Sequence, residues 1–105
     1  MTFYSVKRSK KDTVVEVKGH ADYDDKGYDI VCAGISTATL MTANLISSLK
    51  YKYEVLEIIV EDGYFRLQVL NTDKVLNAIV DNLCETLDSL WEEYPSYIKR
   101  KWFRR

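Results

Sequence analysis

The chain's single histidine, His20, and one of its two cysteines, Cys32, lie twelve residues apart in the stretch GHADYDDKGYDIVCAGIS. A thiol and an imidazole are the smallest set for nucleophilic catalysis: the imidazole takes the thiol proton and the thiolate attacks a carbonyl. Whether the pair can act depends on where the chain places each member. Apolar periodicity begins just after Asp29, so Asp29 is expected as a helix N-cap and Cys32 as the third helical residue. There, unpaired backbone N–H groups and the helix dipole favour an anion and lower a thiol's pKa from about 8.5. The N–H groups of Cys32 and Ala33 would then face a developing oxyanion. His20 ends the preceding strand, and the eight-residue loop ADYDDKGY is long enough to bring it back to the thiol. The same residues admit a purely structural reading, because cysteine is among the most buried residue types and a strand-end histidine is commonly a hydrogen-bonded surface residue. On the residues alone both readings stand.

Other chemistries fit less well. Cys84 falls in the middle of a helical stretch, beside Leu83 and Leu87 at the edge of an apolar stripe, and reads as a structural thiol. A Cys32–Cys84 disulfide is not expected in a reducing compartment. Zinc needs three or four ligands, and one histidine with two separated cysteines does not supply them, so no metal is expected. There is no C-x-x-C for redox exchange and no glycine-rich phosphate loop. The end KRKWFRR, five basic residues and two aromatics in seven positions, suits RNA contact; it suits better a charged edge strand that discourages aggregation, because the domain as a whole is not basic. A net charge of −1 sets a limit on the first option, confining any nucleic-acid contact to a local patch. Asp22, Asp24 and Asp25 give the His–Cys loop the opposite sign, which beside an active site would favour a basic peptide.

The elements that position these residues follow from patterning. MTFYSVKR and TVVEVKGH are rich in β-branched and aromatic residues and flank the polar turn SKKD, which predicts a hairpin. DIVCAGISTATLMTANLISSLK carries Val31, Ile35, Ala38, Thr42, Leu45 and Leu49 at helical spacing. Its remaining faces are small and nearly uncharged, so this helix is expected to be mostly buried, on the sheet or on another subunit. YKYEVLEIIVEDGYFRLQVL predicts a second hairpin turning at Asp62-Gly63. A second helix is expected from Asp73 to Glu93, with Leu76, Ile79, Val80, Leu83, Leu87 and Leu90 inward, stopped by Pro95. SYIKRKWFRR reads as a final strand. The order β-β-α-β-β-α-β implies one α+β domain over residues 1–105, a mixed or antiparallel sheet with two packed helices. With 47% hydrophobic residues the chain can build that core. No signal-like start and no stretch approaching a membrane span were apparent, which makes a cytoplasmic, reduced location the expectation.

The quoted stretch resembles the signature of the bacterial ribosomal-processing cysteine proteases, the Prp or YsxB-like family. That signature is a G-H-A, a short loop containing glycine, then D-I-V-C-A and a serine three residues later. Here these are Gly19, His20, Ala21, Gly27, Asp29, Ile30, Val31, Cys32, Ala33 and Ser36. The resemblance implies that Cys32 is the nucleophile and His20 the general base, with Gly19, Ala33 and Ser36 supporting them and no cofactor. Asp29 matches the family's acidic position and either orients His20 or caps the helix. It also implies that the substrate is the N-terminal extension of a large-subunit ribosomal protein (the twenty-seventh in the usual count). The loop through Asp22, Tyr23, Asp24, Asp25 and Gly27 would close over that substrate. Family members act as homodimers, with ribosome association a further implication. Gly34 departs from the second alanine common in the family, which leaves room beside the nucleophile. The reading of a different class is a non-catalytic ribosome- or RNA-associated module using the basic end, including Arg104 and Arg105.

Overall fold

A computed structural model describes residues 1–19 and 26–102 of the chain. The elements are β1 (Thr2–Arg8), β2 (Asp12–Lys18), α1 (Lys26–Ser48), β3 (Val55–Glu61), β4 (Tyr64–Leu70), α2 (Lys74–Glu93) and β5 (Ile98–Arg100). They form one five-stranded sheet in the order β3-β4-β2-β1-β5. The expected element order and α+β class are therefore present. The sheet is mixed because β5 runs parallel to β1 while every other pairing is antiparallel.

Both helices cross between parallel strands: α1 links β2 to β3, and α2 links β4 to β5. The two crossings run in opposite directions along the sheet from oppositely directed strands. Right-handed connections then place both helices on one face. Alternation fills the layer between. Tyr4, Val15, Val17, Phe65, Leu67 and Val69 point at the helices and are buried, while Glu16, Arg66 and Gln68 point to the open face. α2 contributes Leu76, Val80, Leu83, Cys84 and Leu87 to this core, close to the expected stripe.

α1 corrects one expectation about burial. Its inward face is Val31, Ile35, Thr39, Thr42, Ala43 and Ile46, so Leu45 and Leu49 point out instead of in. The sheet and α2 do not cover the rest of it: Ile30, Leu40, Met41, Leu45 and Leu49 are exposed within the domain, Met41 at 67%, so of the two expected covers the sheet accounts for only one face. The threonines reach the interior because Thr39 and Thr42 donate to the carbonyls of Ile35 (2.9 Å) and Ala38 (2.8 Å), which hides their hydroxyls in the helix's own backbone. With so few charges on either side, the segment Asp29–Ser48 is long and apolar enough to cross a membrane, at a mean hydropathy of 1.5, contrary to the reading of the sequence; a third of it is buried in the domain.

Side chains tie the layers together. Tyr4 donates to Asp88 of α2 at 2.5 Å, and Arg100 of β5 pairs with the same carboxylate at 3.2 Å. At the start of α2, Asp73 accepts from the N–H of Leu76 and from the Tyr51 hydroxyl. Those hydrogen bonds hold its carboxyl below the usual range. The Ser9 hydroxyl and the Gln68 amide do the same for Asp12. Desolvation pushes Glu16 up, but the Tyr64 hydroxyl, Lys18 and Arg66 together outweigh it and hold Glu16 low as well.

All three carboxyls have folded pKa values below their unfolded ones, about 3.9 for Asp and 4.3 for Glu. Their stabilisation is complete above the unfolded values and is lost as pH falls through the folded ones. Thermal melts are expected to be flat from pH 8 to 6 and to drop below about pH 4.5. A melting temperature that holds at pH 3 would contradict these assignments.

Candidate active site

β2 and β4 pair from Asp12↔Leu70 to Lys18↔Tyr64. That register carries the tip of the second hairpin to the end of β2, where the chain continues into His20. The contact is close: the Gly19 N–H donates to the Gly63 carbonyl at 3.0 Å. Gly63 takes a φ of +74°, and a Cβ there would lie 2.6 Å from the Gly19 carbonyl oxygen. A Cβ on Gly19 would collide with the Thr2 side chain. Both positions need glycine for this approach. Of the two turn residues only Gly63 uses the positive φ expected of Asp62-Gly63; Asp62 does not.

The hairpin tip and α1 enclose a groove of about 480 Å³. Cys32, half-buried, opens into it together with Ser36, one turn further along the same helix face, and Thr39 a turn beyond. Thr2, Val17 and Gly19 form the sheet side; Val60, Glu61, Asp62, Gly63 and Tyr64 form the far wall. The residue immediately before His20 and the thiol thus share one cavity. His20 itself lies outside the described residues, as do Ala21, Asp22, Tyr23, Asp24 and Asp25.

Several expectations about the thiol's surroundings change. α1 begins at Lys26, so Gly27 belongs to the helix and not to the loop. Asp29 is an acidic residue inside the first turn, where the dipole still favours it, but it does not cap the helix. Cys32 is the seventh helical residue, beyond the four unpaired N–H groups, and its own N–H belongs to the helix ladder. The N–H groups of Cys32 and Ala33 therefore cannot serve as an oxyanion hole in this helix. Ala33 faces elsewhere, into the groove between α1 and α2. Gly34 faces there too, with space for a Cβ 3.5 Å from Leu90, so it does not shape the Cys32 cavity.

Ser36 keeps its hydroxyl available. Thr37, Thr39, Thr42 and Ser48 all donate to a backbone carbonyl four residues back, whereas Ser36 has no side-chain partner among the described residues. The groove's far wall went unnoticed in the sequence because nothing in YKYEVLEIIVEDGYFRLQVL signals chemistry. Only the pairing of Lys18 with Tyr64 brings it there. Tyr64 donates to Glu16 at 2.6 Å, and that hydrogen bond, with desolvation, pushes its phenol up, so it stays protonated. Glu61 and Asp62 make no salt bridge among the described residues, leaving the tip acidic.

Cys84 behaves as the sequence indicated. It is buried, and desolvation pushes its thiol up. No group of three or more metal-binding side chains occurs among the described residues. The basic end is partly committed to the fold: Arg100 pairs with Asp88 and lies 4.0 Å from the Trp102 ring, and Lys101 sits 4.6 Å from the Phe3 ring. Residues 103–105, with Arg104 and Arg105, lie outside the described residues.

Comparison with known proteins places this geometry in context. The family model described as "Cysteine protease Prp" matches residues 1–99. The ribosomal processing cysteine protease Prp of Staphylococcus aureus strain Mu50 is 30% identical over 90 residues, covering 85% of both chains. The crystal structure of the S. aureus protease in complex with a substrate peptide superposes with a TM-score of 0.81 at 25% identity, over 98% of this chain and 100% of that one. Its complex with a covalently linked product peptide gives 0.78 at 25%, with the same coverage.

The difference between the two thiols is directly measurable. Brief treatment with iodoacetamide at neutral pH, followed by peptide mapping, should alkylate Cys32 at least about tenfold faster than Cys84, because only the accessible thiol reaches the reagent. Equal rates would mean that the groove is closed or that the core is open around Cys84.

Proposed function

Because the chain belongs to the cysteine protease Prp family, we propose that it removes the N-terminal extension of a large-subunit ribosomal protein, the twenty-seventh, with Cys32 as nucleophile and His20 as general base. The observation that carries this reading is the shared groove: Cys32 and Gly19, the residue next to His20, line one cavity beside the hairpin tip.

In the proposed reaction His20 takes the proton from the Cys32 Sγ and the thiolate adds to the scissile carbonyl. The C–N bond breaks as His20 returns the proton to the leaving amine, and water then hydrolyses the thioester. No cofactor takes part. Stabilisation of the oxyanion falls to groove donors outside the α1 ladder, and the free Ser36 hydroxyl is the one on the nucleophile's own face. Asp29, three residues before Cys32, is available to orient an imidazole, since it does not cap the helix. Glu61 and Asp62 on the rim favour a substrate with basic residues near the cut. A reducing cytoplasm keeps the thiol free for this work.

The assay is incubation of the extended ribosomal-protein precursor with wild type, Cys32→Ala, His20→Ala and Cys84→Ala, read by intact mass spectrometry. One N-terminal cut by wild type and Cys84→Ala is expected, with a loss of at least about a thousandfold in the other two. Equal cutting by Cys32→Ala would remove the proposed nucleophile.

The homodimer is proposed on the same footing. A second groove, about 900 Å³, lies between α1 and α2 and is lined by Ala33, Gly34, Ala38, Met41, Leu45 and Val75 among others. Its apolar lining continues onto the exposed side of α1, a surface of the kind that a second copy covers. Light scattering should give twice the chain mass for wild type and the single mass for a Met41→Glu/Leu45→Glu double variant; a monomeric wild type would end the proposal.

A further inference from the structure

The two edges of the sheet are unlike. β5 is three residues long, carries Lys99 at its centre, is followed by Lys101 and offers little to another strand. This is how proteins commonly blunt an edge. β3 is seven residues long and contains neither proline nor lysine. A bulge at Leu56 separates two stretches of its pairing with β4. Before it, the Glu54 carbonyl faces β4 and accepts from the Leu70 N–H. After it, the two-residue turn makes Glu61↔Tyr64 a hydrogen-bonded pair, and Ile59↔Arg66 and Glu57↔Gln68 follow by alternation. The N–H and C=O groups of Ile58 and Val60 consequently point away from the sheet.

The side chains of these two residues face the helices, opposite Leu67 and Phe65 of the core. Val60 is 46% exposed and lines the Cys32 groove. An open strand edge thus runs along the lip of the groove that holds Cys32, with no lysine or proline between Val55 and Glu61 and with its bulge at Leu56, away from Ile58 and Val60. We infer that the peptide substrate binds as a sixth strand on the outer edge of β3, hydrogen-bonded to the backbone of Ile58 and Val60, so that alternate substrate side chains turn into the Cys32 groove. Backbone pairing of this kind supplies affinity independent of sequence, and the pockets under alternate side chains supply selectivity. It also holds the scissile bond extended, with its carbonyl presented to a side nucleophile. The inference rests on the protease reading and adds to it the place and manner of substrate binding.

Val60→Pro removes one outward N–H without touching the β4 ladder, because proline is tolerated on an edge strand where its nitrogen faces out. Val60→Ala keeps that N–H and loses the same side chain, so the pair isolates the backbone donor. Relative to Val60→Ala, Val60→Pro should lower kcat/KM for the extended precursor at least tenfold, mostly through KM. Amide exchange of the Cys32→Ala protein with a synthetic peptide spanning the extension provides a measure that does not depend on a variant of β3. The Ile58 and Val60 amides should gain at least tenfold protection, while those of Glu57, Ile59 and Glu61 change little. Equal kinetics of the two Val60 variants with a cutting wild type, or peptide protection near Gly19 and Cys32 that leaves Ile58 and Val60 unchanged, overturns the inference and leaves the protease reading intact. Absence of cutting by wild type removes the protease reading and this inference with it.

Discussion

The antiparallel pairing of β2 with β4 is the constraint on which the rest of the structure depends. Each hairpin is local, and only this pairing fuses the two into one sheet. Its seven-residue register stacks Val15 beside Leu67 and Val17 beside Phe65, and so creates the floor on which both helices pack. The same register has a chemical consequence. It delivers the Asp62-Gly63 tip to the end of β2 and leaves a gap beneath α1 in which a thiol can stand. A slip by one residue would turn the apolar set to the open face and part Gly63 from Gly19 together.

The two glycines show how closely that coupling is built. One hydrogen bond joins them, and each lacks the Cβ that would force the strands apart. The chain that leads into His20 therefore departs from a fixed point, anchored to the hairpin tip on one side and to Thr2 on the other. Rigidity at that point suits the proposed site, in which the general base and the nucleophile would come from different elements. Cys32 is held differently, by a helix whose interior face hides threonine hydroxyls in its own backbone and leaves that of Ser36 open toward the groove.

Charge is distributed with equal economy. Arg66 on the open face of the sheet is engaged by Glu16 and Glu57, and Arg100 by Asp88, so these cations are internal to the domain. The carboxylates of Glu61 and Asp62 make no salt bridge among the described residues and stand at the groove. Membership of a cysteine protease family gives that asymmetry a use, since a substrate of opposite charge would be drawn to the same end of the sheet as the thiol.

The sequence by itself determined the elements and their order, because alternation in VVEV and YFRLQV and helical spacing in KVLNAIVDNLCETL are local signals of burial. It also determined Cys84 as a core thiol, and, through the G-H-A…D-I-V-C-A pattern, Cys32 and His20 as the candidate pair. It misplaced the start of α1, since Lys26, Gly27 and Tyr28 carry no helical periodicity, and with that start went the N-cap and the oxyanion hole. It put Leu45 and Leu49 inward where Ala43 and Ile46 are, because a helix apolar on several sides has no single readable face. The position of His20 relative to the thiol lies outside the described residues. Tertiary structure alone decided that Val60 through Tyr64 wall the groove into which Cys32 and Ser36 open, and that α2 faces Ala33 and Gly34. Those facts are distances between residues remote in the chain, and they exist only once strand register has fixed which hairpin tip meets which helix turn.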